Sequence, residues 1–105
     1  MSAKDEAMAR VDAAASDTWK VYMREAVRQT CLRMNRFTSD DVFDRVDADP
    51  NALVTHELRA FGPVMLRAAH LGWCRKADVA PVPSRRESLH YSPRAVWESL
   101  IHVSA

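Results

Sequence analysis

The sequence predicts a mainly α domain with a small β-ribbon, three helices followed by a two- or three-stranded wing. Three observations predict it. Apolar residues recur at helical spacing through Trp19, Tyr22, Met23, Ala26, Val27, Thr30, Cys31 and Met34. Two shorter helical segments follow, one opened by a capping pattern and one closed by glycine. The last third of the chain then exchanges helical periodicity for prolines, a basic loop and a short apolar run. At 105 residues the chain encloses one core, with no room for a separate cofactor-binding or catalytic domain.

Residues 1–15 are Ala-rich and polar without a sustained apolar stripe, so they read as a flexible or frayed-helical arm preceding a domain over 16–105. Ser16 or Asp17 can cap the first helix, whose other faces carry Lys20, Arg24, Glu25, Arg28, Gln29 and Arg33. Phe37 precedes Thr38-Ser39-Asp40-Asp41, where a hydroxyl cap is followed three residues later by a carboxylate able to reach back. A short helix should run from there through Val42, Phe43 and Val46. Pro50 and Asn51 break the period, and a third helix is expected over 57–71, stopped by Gly72. Its buried stripe is Phe61, Val64, Met65 and Ala68, reaching Leu71; the opposite stripe is Arg59, Pro63, Leu66, Arg67 and His70. Pro63 should kink this helix or delay its regular part. Trp73 to Lys76 reads as a strand, and Pro81 and Pro83 bound an irregular loop with Ser84-Arg85-Arg86. The segment 93–102 fits a helix capped by Ser92-Pro93 or a returning strand around Val96-Trp97; the strand is preferred.

A hydrophobic content of 48% is too high for a disordered chain, and no apolar run approaches the roughly 20 residues that span a bilayer. The first fifteen residues lack the apolar stretch of a secretory signal, and Cys31 and Cys74 show no paired spacing, which suits a reducing compartment. A cytoplasmic protein is expected. The formal net charge of +1 conceals a polarity: residues 1–55 hold eight bases and ten acids, a net −2, and the rest hold seven bases and four acids, a net +3.

Three helices followed by a basic-tipped ribbon is the winged helix-turn-helix arrangement, in which the third helix enters a major groove and the ribbon flanks it. The residues point the same way. Phe37-Thr38-Ser39-Asp40-Asp41-Val42-Phe43, Arg59-Ala60-Phe61-Gly62-Pro63-Val64-Met65, Ala68-Ala69-His70-Leu71-Gly72-Trp73 and Ser84-Arg85-Arg86 with the late Val96-Trp97 together resemble small winged-helix proteins encoded by actinobacterial phages and prophages. The resemblance covers roughly three quarters of the chain, and the order of its motifs carries it. It implies double-stranded DNA as partner, in the host bacterial cytoplasm, for a transcriptional regulator or an accessory factor in DNA metabolism.

The expected DNA contacts are Arg59, Pro63, Arg67 and His70 on the third helix, where arginine can read guanine edges or phosphates. Arg75, Lys76, Arg85, Arg86 and Arg94 on the ribbon would touch phosphates. The alternative is a winged-helix interaction module that docks on a host protein through the recognition face or the acidic 40–49 surface. A homodimer through the first helix or the arm suits either reading.

Other chemistries fit poorly. Residues 47–58 begin like a calcium loop, with Asp47, Asp49 and Asn51, yet have Ala52 where glycine is needed and Leu58 where a bidentate glutamate is needed. His70 and Cys74 straddle the helix-ending Gly72, His56-Glu57 lacks the second histidine of a zincin, and two glycines make no phosphate loop. Cys31 lies on the apolar face of the first helix as an inert thiol, and the three tryptophans should anchor the core. No catalytic residue, metal or cofactor is therefore expected.

Overall fold

The computed structural model describes residues 17–52 and 60–103. The expected arm, Arg59 and the expected start of the third helix at Glu57 lie outside these residues. The described residues form a small mixed α/β domain of three α-helices and a small antiparallel sheet.

Helix α1 (Asp17–Arg33) has an acid in its first turn and a base in its last, matching the helix dipole at both ends. It buries Trp19, Met23, Ala26, Val27, Thr30 and Cys31, the stripe the periodicity defines. Thr30 is admitted to this stripe because its hydroxyl donates to the Ala26 carbonyl at 2.8 Å. Met34 departs from the expectation: the helix ends one residue earlier and its side chain is exposed.

Strand β1 (Arg36–Phe37) leads into α2 (Ser39–Asp47). The capping box forms as the spacing predicts: the Asp40 amide donates to Thr38 Oγ1 at 3.2 Å and the Thr38 amide to Asp41 Oδ2 at 2.8 Å. Phe37 before the cap and Val42 in the first turn are both buried, as in a hydrophobic staple.

Helix α3 (Phe61–His70) buries Phe61, Val64, Met65 and Ala68, but not Leu71: the helix ends before it, and as the C-cap residue Leu71 is exposed rather than the end of the buried stripe. Pro63 is its third residue, where a missing amide hydrogen breaks no intrahelical bond, so the late regular start rather than a kink accommodates it. The helix ends in a Schellman arrangement: the Trp73 amide donates to the Ala68 carbonyl at 3.1 Å and the Gly72 amide to Ala69 at 3.0 Å, with Gly72 at φ +81°.

Strand β2 (Cys74–Lys76) follows, then β3 (Val82–Pro83), a 3-10 turn (Glu87–Leu89), β4 (Pro93–Arg94) and β5 (Trp97–Ser99). The preferred strand at the end of the chain is thus present as β5, and it lies in the middle of a three-stranded antiparallel sheet ordered β1-β5-β2. Its register sets Glu98 between Arg36 and Arg75, and Trp97 between Phe37 and Lys76. β3 and β4 form a separate antiparallel ribbon in which Pro83 faces Pro93, two residues without amide donors that keep the ladder short.

The core lies where α1 packs on α2 and α3 and where β1 and β5 close over α1. Trp19 is buried in it, while Trp73 from the turn before β2 and Trp97 from β5 pack on it, partly exposed. Cys31 and Cys74 meet there as buried free thiols. The hydrogen bond with Cys74, then burial, pushes the Cys31 thiol well above its ordinary pKa, as expected of an inert core cysteine.

Candidate nucleic-acid interface

Among the residues of α3, the side facing away from the core presents exposed Leu66, Arg67 and His70, with half-buried Pro63 nearer its start. The spacing Pro63, Leu66, Arg67, His70 places them along one stripe, and α3 contains no acidic residue. Arg67 has no acidic partner among the described residues. Lys76, at the end of β2, is exposed and likewise free of an acid there. These side chains are cations that need not leave a carboxylate in order to meet a phosphate.

The other expected contacts are placed differently. Arg75 crosses the sheet to Glu98 at 3.0 Å. Arg85 donates from Nη2 to Asp44 at 2.8 Å and to Asp41 at 3.1 Å, and Arg86 reaches Asp47 at 3.0 Å and Asp44 at 3.4 Å while lying over the Phe43 ring at 5.5 Å. The attraction of Asp41, foremost, raises the Arg85 pKa above its ordinary value. The basic ribbon tip is therefore paired with the acidic face of α2.

A buried junction holds this pairing in place. Asp40 is 1% exposed, and its carboxylate accepts the Ser84 hydroxyl at 2.9 and 3.1 Å and the Arg85 amide at 2.6 Å. Ser84 is itself 2% exposed, and its hydroxyl also accepts the Arg86 amide at 3.1 Å. The Arg85 guanidinium adds a longer ion pair to this carboxylate, Nε lying 3.9 Å from Asp40 Oδ2, so the buried charge is both hydrogen-bonded and compensated. Nothing in the sequence singled out Ser84 as its partner, since the two lie 44 residues apart.

Arg94 completes the set. Its Nη2 donates to Ser92 Oγ at 2.6 Å, whereas its Nε is buried with no hydrogen-bond acceptor. Its guanidinium has no carboxylate partner among the described residues.

The charge polarity read along the chain is thus also a polarity between elements. α2 bears four aspartates and Arg45, and α3 with β2 bears Arg67, His70, Arg75 and Lys76. On the α2 side, an open groove of about 690 Å³ runs between α1 and α2. Ala26, Met34 and Ala48 supply its apolar surface, and Glu25, Asp41, Asp44 and Asp49 outnumber Arg45 around it. Tyr22 donates to Asp49 at 2.5 Å, and burial together with that carboxylate pushes its pKa up to about 12.

The acids of the would-be calcium loop therefore act locally, Asp49 accepting from Tyr22 and from the Asn51 amide at 2.9 Å. The loop's later positions lie outside the described residues. Among the described residues no three His, Cys, Asp or Glu side chains are grouped to hold a metal, and no helix is long and apolar enough to cross a membrane. No known protein family, curated protein or solved structure matches the chain.

Proposed function

We propose that the chain is a winged-helix protein of phage type that binds double-stranded DNA, as a transcriptional regulator or an accessory factor in DNA metabolism. The element order supports the winged-helix reading: helix, strand, two helices, strand, ribbon, strand, with the last strand between the other two. The observation that carries DNA binding is the acid-free α3, which turns Arg67 and His70 outward on the opposite charge pole from α2. In this reading α3 enters the major groove, Arg67 contacts a base edge or phosphate, and Lys76 and Arg94 meet the flanking backbone. Arg85 and Arg86 position the ribbon by holding it to α2. The protein acts by occupying or bending a site, without chemistry of its own.

Fluorescence anisotropy on mixed-sequence duplexes tests this. Arg67→Ala should weaken binding by about 1–3 kcal/mol if it holds a base edge. Equal affinity of the parent and an Arg67→Ala, Lys76→Ala, Arg94→Ala triple variant would contradict the reading.

The acid-lined groove favours a second reading, an interaction module that takes a cationic segment of a host protein between α1 and α2. A parent protein that shifts no duplex at low salt, yet retains a host protein that Asp41→Asn with Asp44→Asn releases, would support it.

A further inference from the structure

The geometry points to Tyr91 as a DNA-contacting residue of the ribbon, held against the duplex by a strained turn; this rests on the DNA-binding reading above. Residues 89–92 form a tight turn closed by the Ser92 amide on the Leu89 carbonyl at 3.0 Å. Both central residues have left-handed backbone, His90 at φ 52° and Tyr91 at φ 53°, and they are the only non-glycine residues with positive φ among the described ones. Two left-handed residues in succession make the primed type I turn, which sequences ordinarily fill with Asn-Gly because glycine has no Cβ to crowd the carbonyl. Here a histidine and a bulky aromatic occupy it instead.

The surrounding contacts force this conformation. Asp40 fixes Ser84, and the Ser84 amide donates to the Ser92 carbonyl at 2.8 Å, which pins both sides of the ribbon. The His90 amide is held by Glu87 at 2.8 Å, so the chain must reverse within two residues. The fold gains nothing visible from the tyrosine ring in return. Tyr91 is 58% exposed, is absent from the core and makes no side-chain hydrogen bond among the described residues. Strain held in place by the surrounding structure, around a mostly exposed side chain outside the core, marks a residue placed for a partner.

The chemistry fits a duplex backbone. The ring can lie on a deoxyribose while the phenol hydroxyl donates to a phosphate oxygen, and Arg94, free of any described carboxylate, stands on the strand that follows the turn. A neutral phenol releases no counterion, so its contribution should be independent of salt.

Anisotropy titrations of a mixed-sequence 30-base-pair duplex over a salt series, paired with thermal melts, test this on the full chain and on Tyr91→Gly and Tyr91→Asn. Both variants relieve the left-handed strain and delete the ring. The expected result is a melting temperature higher than the parent's, by about 4–8 °C for glycine, together with about fivefold to tenfold weaker duplex binding and an unchanged salt slope. Tyr91→Phe should keep the parent's melting temperature and recover part of the affinity. Unchanged affinity in the glycine and asparagine variants overturns the assignment, because the ring then touches nothing. Loss of stability together with affinity also overturns it, because the ring then serves the fold. A parent that binds no duplex removes the underlying DNA reading, and this inference with it.

Discussion

Asp40 is an almost fully buried carboxylate whose partners come from 44 and 45 residues away in the chain. Its two oxygens take a hydroxyl and an amide from the ribbon, so the ribbon's position depends on one side chain. Ser84→Ala removes the hydroxyl and leaves the carboxylate underpaired, at a cost of about 1–3 kcal/mol; urea unfolding should show an earlier midpoint with an unchanged slope. The solvent-exposed guanidinium contacts around this junction matter less to stability. Arg85 is 61% exposed at its side chain, so Arg85→Ala should cost under about 1 kcal/mol. Glu25 offers a test by pH. Its hydrogen bond from Arg28, then that from Gln29, lowers its pKa from 4.5 to about 2. A depressed carboxylate stabilises the fold above the unfolded value, and that contribution fades as pH falls from about 4.5 to about 2. Melting temperatures across this window should fall slightly less steeply in Glu25→Gln than in the parent, the difference being small because the side chain is about half exposed.

At the scale of elements, the signals that lay close together in sequence were the legible ones. The α2 cap needs only Thr38 and Asp41, and the α3 stop needs only Gly72 and its neighbours, so spacing alone places both. Gly72 has no atom within 4 Å of where a Cβ would stand, so Gly72→Ala tests backbone strain without steric conflict. It should cost about 1 kcal/mol and lower the melting temperature by several degrees. Strand β1 was not legible as a strand, because two residues carry no period and only pairing with β5 defines it. Proline, a helix breaker when read alone, falls in the first turn of α3 and costs that helix no bond. The candidate site was legible in part. Arg67 and His70 share the outward stripe that their spacing predicts, whereas the pairing of Arg85 and Arg86 with α2 spans about 40 residues or more and leaves no local trace. The strain at Tyr91 is equally silent in sequence: histidine adopts left-handed backbone more often than most residues, but a bulky aromatic beside it gives no such signal.

Over the whole molecule, a net charge of +1 is divided between an acidic α2 and a basic α3 and β2. The ribbon is held to the acidic pole, with its arginines turned toward the acids of α2. This division changes what salt dependence should reveal. If the ribbon tip were free, its two arginines would each contribute roughly 0.9 to the slope of log affinity against log salt. Held by Asp41, Asp44 and Asp47, they should contribute little, and the slope should come from Arg67, Lys76 and Arg94 instead. The salt slope of duplex binding, measured for the parent, for Arg85→Ala with Arg86→Ala, and for Arg67→Ala with Lys76→Ala and Arg94→Ala, tests the proposal most directly. It predicts a slope near the parent's in the first variant and one shallower by about 2 to 3 in the second. The opposite ranking, or a parent that binds no duplex at low salt, would contradict it.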